Sequence, residues 1–325
     1  MKDLRYKKAC RVMRGLASAL LLLALIGCNT DKELFNPEEG DGTGGNGNAG
    51  VENANLELIV SKKGSLLNSG TWTDGNSLGL FLTQGSVGRP YRNKPENYNN
   101  VKAYMYAGNW CLTPEEVELN DEEAVIFAYA PYMKNVDPFA IPVETESRTD
   151  YMYGTHLGTQ SSVDRNSPIA TLEMNHAMSL LDLNVRKIFD FQSKAVLEEI
   201  TIEAANDSLK LPIKGTMDIM NGKITPTAYG KYSLQKLNQV LENDYTEASS
   251  YRLTMMPREN EEGEVFLTIV INGNRMSMPL HEDHDWRPGV RNVYNIIFDG
   301  KDLRLDQVEI KEWNEVHIEG EIEGR

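Results

Sequence analysis

The chain has 325 residues, with 33 Lys or Arg against 48 Asp or Glu, a formal net charge of −15 at pH 7. That acidic balance argues against nucleic acid and anionic lipid surfaces as partners. With 40 % hydrophobic residues and only three cysteines, stability has to come from apolar cores, for which the chain is long enough to hold two.

Lys2, Arg5, Lys7, Lys8, Arg11 and Arg14 form a basic stretch ahead of an apolar run of 11 residues, Leu16 to Ile26. That run is too short to span a bilayer, so residues 1–27 read as a leader to be removed. Leu25-Ile26-Gly27-Cys28 resembles the lipobox of bacterial lipoproteins, in which the cysteine thiol carries diacylglycerol and becomes the mature N-terminus. The resemblance implies lipidation at Cys28 and anchoring by acyl chains. Losing the leader's six basic residues and one acidic residue leaves 27 against 47, a net −20. Cys10 departs with the leader and Cys28 is acylated, so with Cys111 the remaining cysteine no intramolecular disulfide is expected, even in an oxidising compartment.

Residues 28–50 read as a tether. Asp31-Lys32-Glu33 with Glu38, Glu39 and Asp41 resembles the surface-export signal of Bacteroidota lipoproteins, which implies the outer leaflet of the outer membrane. Gly40 to Gly50 has nothing to bury and should behave as flexible coil, giving Asn29 to Gly50 a reach of roughly 25 Å.

Beyond the tether the apolar period is mostly two, bounded by turn chemistry, which predicts an all-β fold. The expected strands of a first domain, 51–168, are Leu56 to Val60, Leu78 to Leu82 after a Thr73-Asp74-Gly75-Asn76 turn, Val101 to Trp110, and Ala124 to Tyr129. A second domain, 169–325, follows with strands at Ala170 to Met174, Met178 to Val185, Leu197 to Ala204, Tyr251 to Met256, Val265 to Ile271, Arg275 to Leu280, Val293 to Phe298 and Gln307 to Trp313. Asn272-Gly273 and Asp299-Gly300 predict hairpins, since both suit turns with positive φ. Leu234, Leu237, Val240 and Leu241 predict one helix within Ser233 to Glu242. Many short strands without βα alternation point to β-sandwiches.

The search for chemistry is mostly negative: no Gly-x-Ser-x-Gly, phosphate-cradling glycine loop, His-Glu-x-x-His or Cys-x-x-Cys occurs. The sequence predicts no enzyme activity and no cofactor. His281-Glu282-Asp283-His284-Asp285 crowds two imidazoles and three carboxylates together; His281, Asp283 and His284 are its weak candidates for zinc or calcium, and the stretch reads first as a solvated turn. His156 and His176 read as hydrogen-bonded structural residues. Tyr104, Tyr106 and Trp110 offer an aromatic face for a ligand, though Tyr104 and Tyr106 fit an inward stripe better.

Five segments, in order, look like the landmarks of fimbrillin-like lipoproteins. They are Glu123 to Tyr132, Asp150 to Gly154, Glu173 to Leu181, Trp286-Arg287-Pro288-Gly289 running to Ile296, and Val308 to Trp313. Each also has a local reason: Pro131 ends a buried strand, Pro288-Gly289 turns the chain, and Trp313 is a large apolar plug.

The resemblance implies a relative of type V pilins, with two tandem transthyretin-like β-sandwich domains assembled at the cell surface. In such a subunit a trypsin-like protease removes the first strand, and a strand from a neighbouring pilin or fimbrillin subunit fills the groove. Leu56 to Val60 would be that strand, with Lys62 and Lys63 as the processing candidates. Cleavage in the family is commonly after arginine, and none occurs between Arg14 and Arg89. The short acidic stretch after Trp313 favours a tip or accessory subunit over a stalk subunit. The competing expectation is a surface lipoprotein that binds a glycan or a host or bacterial surface ligand and does not polymerise. Separately, Asp207-Ser208-Leu209 resembles a bacterial O-glycosylation acceptor, with Ser208 the modified residue.

Overall fold

The structure is a computed structural model, which describes residues 53–63, 72–158, 160, 162–206, 210–261, 263–280 and 285–313. Cys28, Ser208, His281, Asp283, His284 and the stretch after Trp313 lie outside them.

The fold is all-β, as expected. In chain order the strands are β1 (Ala54–Asn55), β2 (Glu57–Lys62), β3 (Ser77–Thr83), β4 (Val101–Tyr106), β5 (Asn109–Thr113), β6 (Glu118–Leu119), β7 (Val125–Ala130), β8 (Ile141–Glu144), β9 (Met152–Thr155) and β10 (Ile169–His176). There follow β11 (Ser179–Lys187), β12 (Val196–Ala204), β13 (Leu211–Met217), β14 (Ile224–Gly230), β15 (Tyr232–Val240), β16 (Ser250–Met255), β17 (Val265–Ile271), β18 (Asn274–Pro279), β19 (Val290–Phe298) and β20 (Leu303–Glu312).

Seven of them make one sheet in the order β2-β10-β9-β7-β3-β4-β5. The later strands make two four-stranded sheets, β16-β11-β19-β20 and β15-β12-β17-β18. These two face each other as a sandwich over Leu181, Leu183, Leu197, Ile200, Leu267 and Ile269, all fully buried. A three-stranded sheet, β14-β13-β8, joins an early strand to two late ones, with Lys214 opposite Glu144 and Met217 opposite Ile141.

Strands β3 and β7 are apolar on both faces and buried on both. Leu78, Leu80, Leu82, Ile126 and Ala128 enter one core together with Leu172 and Met174. Phe81, Phe127 and Tyr129 enter another, formed with Ile141, Val143, Met217, Met178 and Trp313. The close fit there depends on Gly79, since a Cβ at that position would lie 2.1 Å from the Tyr129 ring. The Tyr129 hydroxyl donates to Asn100 Oδ1 at 2.8 Å and accepts the Met133 N–H at 3.0 Å, and burial pushes its pKa up to about 12.

Two expectations are corrected. Val101 to Trp110 is not one strand: Ala107 and Gly108, at φ 49° and 75°, turn the chain between β4 and β5, and Asp74 accepts both of their N–H groups. Ser233 to Glu242 is not a helix. It is β15, whose register against β12 jumps from Gln235 opposite Glu199 to Gln239 opposite Leu197, with Lys236 and Asn238 at positive φ. The bulge, bent at these two positive-φ residues, interrupts the alternation, and Leu234, Leu237 and Leu241 all meet the core at a spacing that imitates a helix. Cys111 is buried in β5, and the other two cysteines, Cys10 and Cys28, lie outside the described residues. The Asn272-Gly273 hairpin forms as expected, at φ 50° and 76°.

A methyl group at Gly79 must displace a buried, hydrogen-bonded phenol. Gly79→Ala should therefore cost about 2–3 kcal/mol by overpacking, lowering the thermal midpoint by roughly 5–10 °C in calorimetry. Gly158→Ala, with nothing within 4 Å of the new carbon, should leave it unchanged.

Candidate subunit interface

β2 is the outermost strand of the seven-stranded sheet, and among the described residues β10 is its one ladder partner, running parallel, with Glu57 opposite Ile169 and Lys62 opposite Met174. At its ends the Glu57 N–H donates to Pro168 at 2.9 Å and the Lys63 N–H to Met174 at 2.8 Å. The side chains alternate as the pleat requires. Leu56 is buried and Leu58 and Val60 pack against the same core, whereas Ile59, 52 % exposed, faces out beside the exposed Ile169. Leu56, Leu58 and Val60 give this strand its register, because a slip of one residue would put all three into water.

The sheet curls until its two outer strands, β2 and β5, approach each other. The gap is bridged by side chains. Lys62 Nζ sits 4.7 Å from the centre of the Trp72 ring, and Trp72 meets Trp110 of β5 edge to face at 5.3 Å. The two candidate processing residues therefore differ: Lys62 is half-buried, inside the ladder and held against an indole, and Lys63 is exposed just past the strand. Sequence reasoning singled out both lysines but missed Trp72, because no local pattern shows that a residue ten positions later folds back onto Lys62.

The structure separates the other candidates. In β4 it is Val101, Ala103 and Met105 that turn to the buried side; Tyr104 is half-buried and Tyr106 is 41 % exposed on the opposite face. The inward tyrosine stripe is thus corrected, the aromatic residues having been assigned the parity that the aliphatic ones occupy. Trp110 stands apart from them, packed on the core. His156 is buried and its Nδ1 accepts the Ile126 N–H at 3.2 Å; burial lowers its pKa, so it is held neutral. His176 Nδ1 lies 2.9 Å from Asp150 Oδ1, and the ring stacks on Trp313 at 4.1 Å. Both are structural histidines with partners. Among the described residues no group of three His, Cys, Asp or Glu is placed to hold a metal ion, and no helix is long and apolar enough to cross a membrane.

Residues 67–313 match a protein-family model described as fimbrillin-like. Among solved structures, the chain is similar to a candidate cell adhesion protein of Bacteroides ovatus, with a TM-score of 0.62, 14 % identity, and coverage of 82 % of this chain and 100 % of that one. It is similar also to a candidate cell adhesion protein of Bacteroides uniformis (TM-score 0.59, 16 % identity, 82 % and 99 % covered). A fimbrial protein of Bacteroides vulgatus gives a TM-score of 0.56 at 14 % identity, with 81 % and 100 % covered. At these identities the likeness is one of fold. No sequence among the curated proteins matches the chain.

Two outcomes follow from the geometry. Trp72→Ala removes both the cation–π and the indole–indole contact, about 2 kcal/mol together. Amides of β2 that bond to β10 should then exchange roughly 30-fold faster, while those of β3 and β7 keep their protection. For His156, the unfolded chain takes up a proton near the ordinary pH of about 6.5 and the folded chain resists it. This part of the stability is present above that pH and is lost as pH falls below it. His156→Asn, which keeps an acceptor for Ile126, should flatten the decline of the thermal midpoint between about pH 7 and 5.

Proposed function

The chain belongs to the fimbrillin-like family, and from that premise we propose that it is a surface adhesion subunit of a pilus, joined to a neighbouring subunit by exchange of its outermost strand. The observation that carries this reading is β2. It is bound through one ladder, it fills the core with every second side chain, and it is followed at once by an exposed lysine. Its loss would leave the outer edge of β10 unpaired and the places of Leu56, Leu58 and Val60 vacant. An incoming strand with apolar residues at alternate positions would restore both, its backbone supplying affinity and its side chains register. Its partners are therefore other pilin subunits, and two tandem transthyretin-like domains remain the organisation we assign. The matched family region begins at residue 67, after β2, so the exchangeable strand lies outside it.

The test is digestion of the soluble body with a Lys-specific protease, N-terminal sequencing of the product, and electrophoresis in SDS without heating beside a donor-strand peptide. A cut directly after Lys63, with a complex that survives SDS, is the expected outcome. A β2 that stays attached, or a cut chain that captures no strand, overturns the reading.

Anchoring is the second part of the proposal. The lipobox-like Leu25 to Cys28 supports an outer-membrane, surface-facing protein acylated at Cys28. The mass of the membrane-extracted chain is decisive. It should correspond to a chain starting at a diacylglycerol-modified Cys28; an unacylated Cys28 overturns the anchor.

A further inference from the structure

A cavity of about 630 Å³ opens where the end of β12, the start of β13 and the turn from β14 to β15 meet. Its volume lies in the range of small-molecule sites. It is far in sequence from β2, and nothing in subunit exchange uses it.

The lining has a definite chemistry. Tyr229 presents a ring that is 49 % exposed, a large aromatic surface left in water at the rim of a concave site. Lys210 and Lys231 flank it, with Lys210 Nζ 5.6 Å from the ring centre. Among the described residues the cavity is lined by two ammonium groups and one carboxylate, that of Glu203, and Glu203 already accepts the Thr268 hydroxyl at 3.2 Å. The nearby Glu199 is likewise engaged, by the Thr201 hydroxyl at 2.9 Å and by Arg275 at 3.1 Å. Asn206 and Thr227 add short polar groups, and Ala204, Leu211 and Ala228 add apolar surface. On a chain of net charge −15, the described lining brings two cations, one anion and an exposed phenol together.

A nucleic acid would be repelled by the rest of the acidic surface. A sugar ring fits both parts: its C–H face lies on an aromatic face, its hydroxyls use amide and hydroxyl partners, and a carboxylate on the ring meets the two lysines. We infer that this cavity binds a saccharide bearing a carboxylate, of the sialic or uronic acid class, with Tyr229 as the platform and Lys210 and Lys231 as the charge-reading residues. The site stands independently of strand exchange, and it would supply the adhesive contact itself.

Titration of the full mature chain in detergent, followed by ligand-observed NMR, tests this with 3′-sialyllactose, a glucuronate disaccharide and neutral lactose. The expected result is binding of at least one acidic saccharide at about millimolar concentration or tighter, with lactose weaker. Tyr229→Ala should weaken that binding about tenfold, a loss of one aromatic face, and Tyr229→Phe should retain it. Lys210→Gln with Lys231→Gln should erase the preference for the acidic sugars over lactose. All three side chains are exposed, and an unchanged thermal midpoint verifies that each variant is folded. Absence of binding to every acidic saccharide, equal binding of lactose, or affinities untouched by Tyr229→Ala and by the double lysine variant would each overturn the inference.

Discussion

Strands β3 and β7 are apolar on both faces, and most of the architecture around them answers that constraint. A strand of this kind is stable only when both faces of its sheet are covered. One face is closed by residues that flank the sheet itself, such as Tyr91, Tyr98 and Leu119, and by the inward side chains of β2 and β10. The other is closed by β8 and β13, which bring Ile141, Val143 and Met217 against Phe81, Phe127 and Tyr129. Because β8 belongs to the early part of the chain and β13 to the late part, covering the second face also binds the two parts together. Trp313, stacked on His176, closes the same core from the last strand.

How much of this can be read from the sequence follows from how local each cause is. The runs Leu78 to Leu82 and Ala124 to Tyr129 declare buried strands by themselves, and Asn272-Gly273 declares its turn, since only a few residues tolerate the required φ. What lay beyond reach were features whose cause is remote. The bulge in β15 exists because β12 lies beside it, and without that neighbour Leu234, Leu237 and Leu241 look helical. The parity of Tyr104 and Tyr106 depends on which face of the sheet is covered, which alternation alone does not say. In the candidate interface, the alternation of Leu56, Leu58 and Val60 and the lysines after it were legible; the indole pair joining them to β5 was not. The cavity beside Tyr229 is assembled from three separate stretches and leaves no linear trace.

The molecule divides its charges between work and display. Asp182, almost wholly buried on the outer side of a four-stranded sheet, is held by Arg252 and Arg291 from the strands on either side, so its charge is compensated where it is least hydrated. Most of the remaining acidic excess stays in water, where it keeps neighbouring chains apart unless a specific strand-to-sheet contact overrides the repulsion. Lys62, against its indole, is an exception at the rim of the sheet: a cation used to hold a strand in place instead of to decorate the surface.

The parallel pairing of β2 with β10 also dictates an order in time. The Ser61 hydroxyl donates to the Leu172 carbonyl across 111 residues of chain, so the first long strand to be synthesised has no partner until almost the whole of the seven-stranded sheet has emerged. The antiparallel pairs β3 with β4 and β4 with β5 close over short loops and can form meanwhile. β2 therefore cannot pair before β10 has been made, by which time the antiparallel ladders of the sheet can already stand. Those ladders do not depend on it, and its withdrawal leaves them in place.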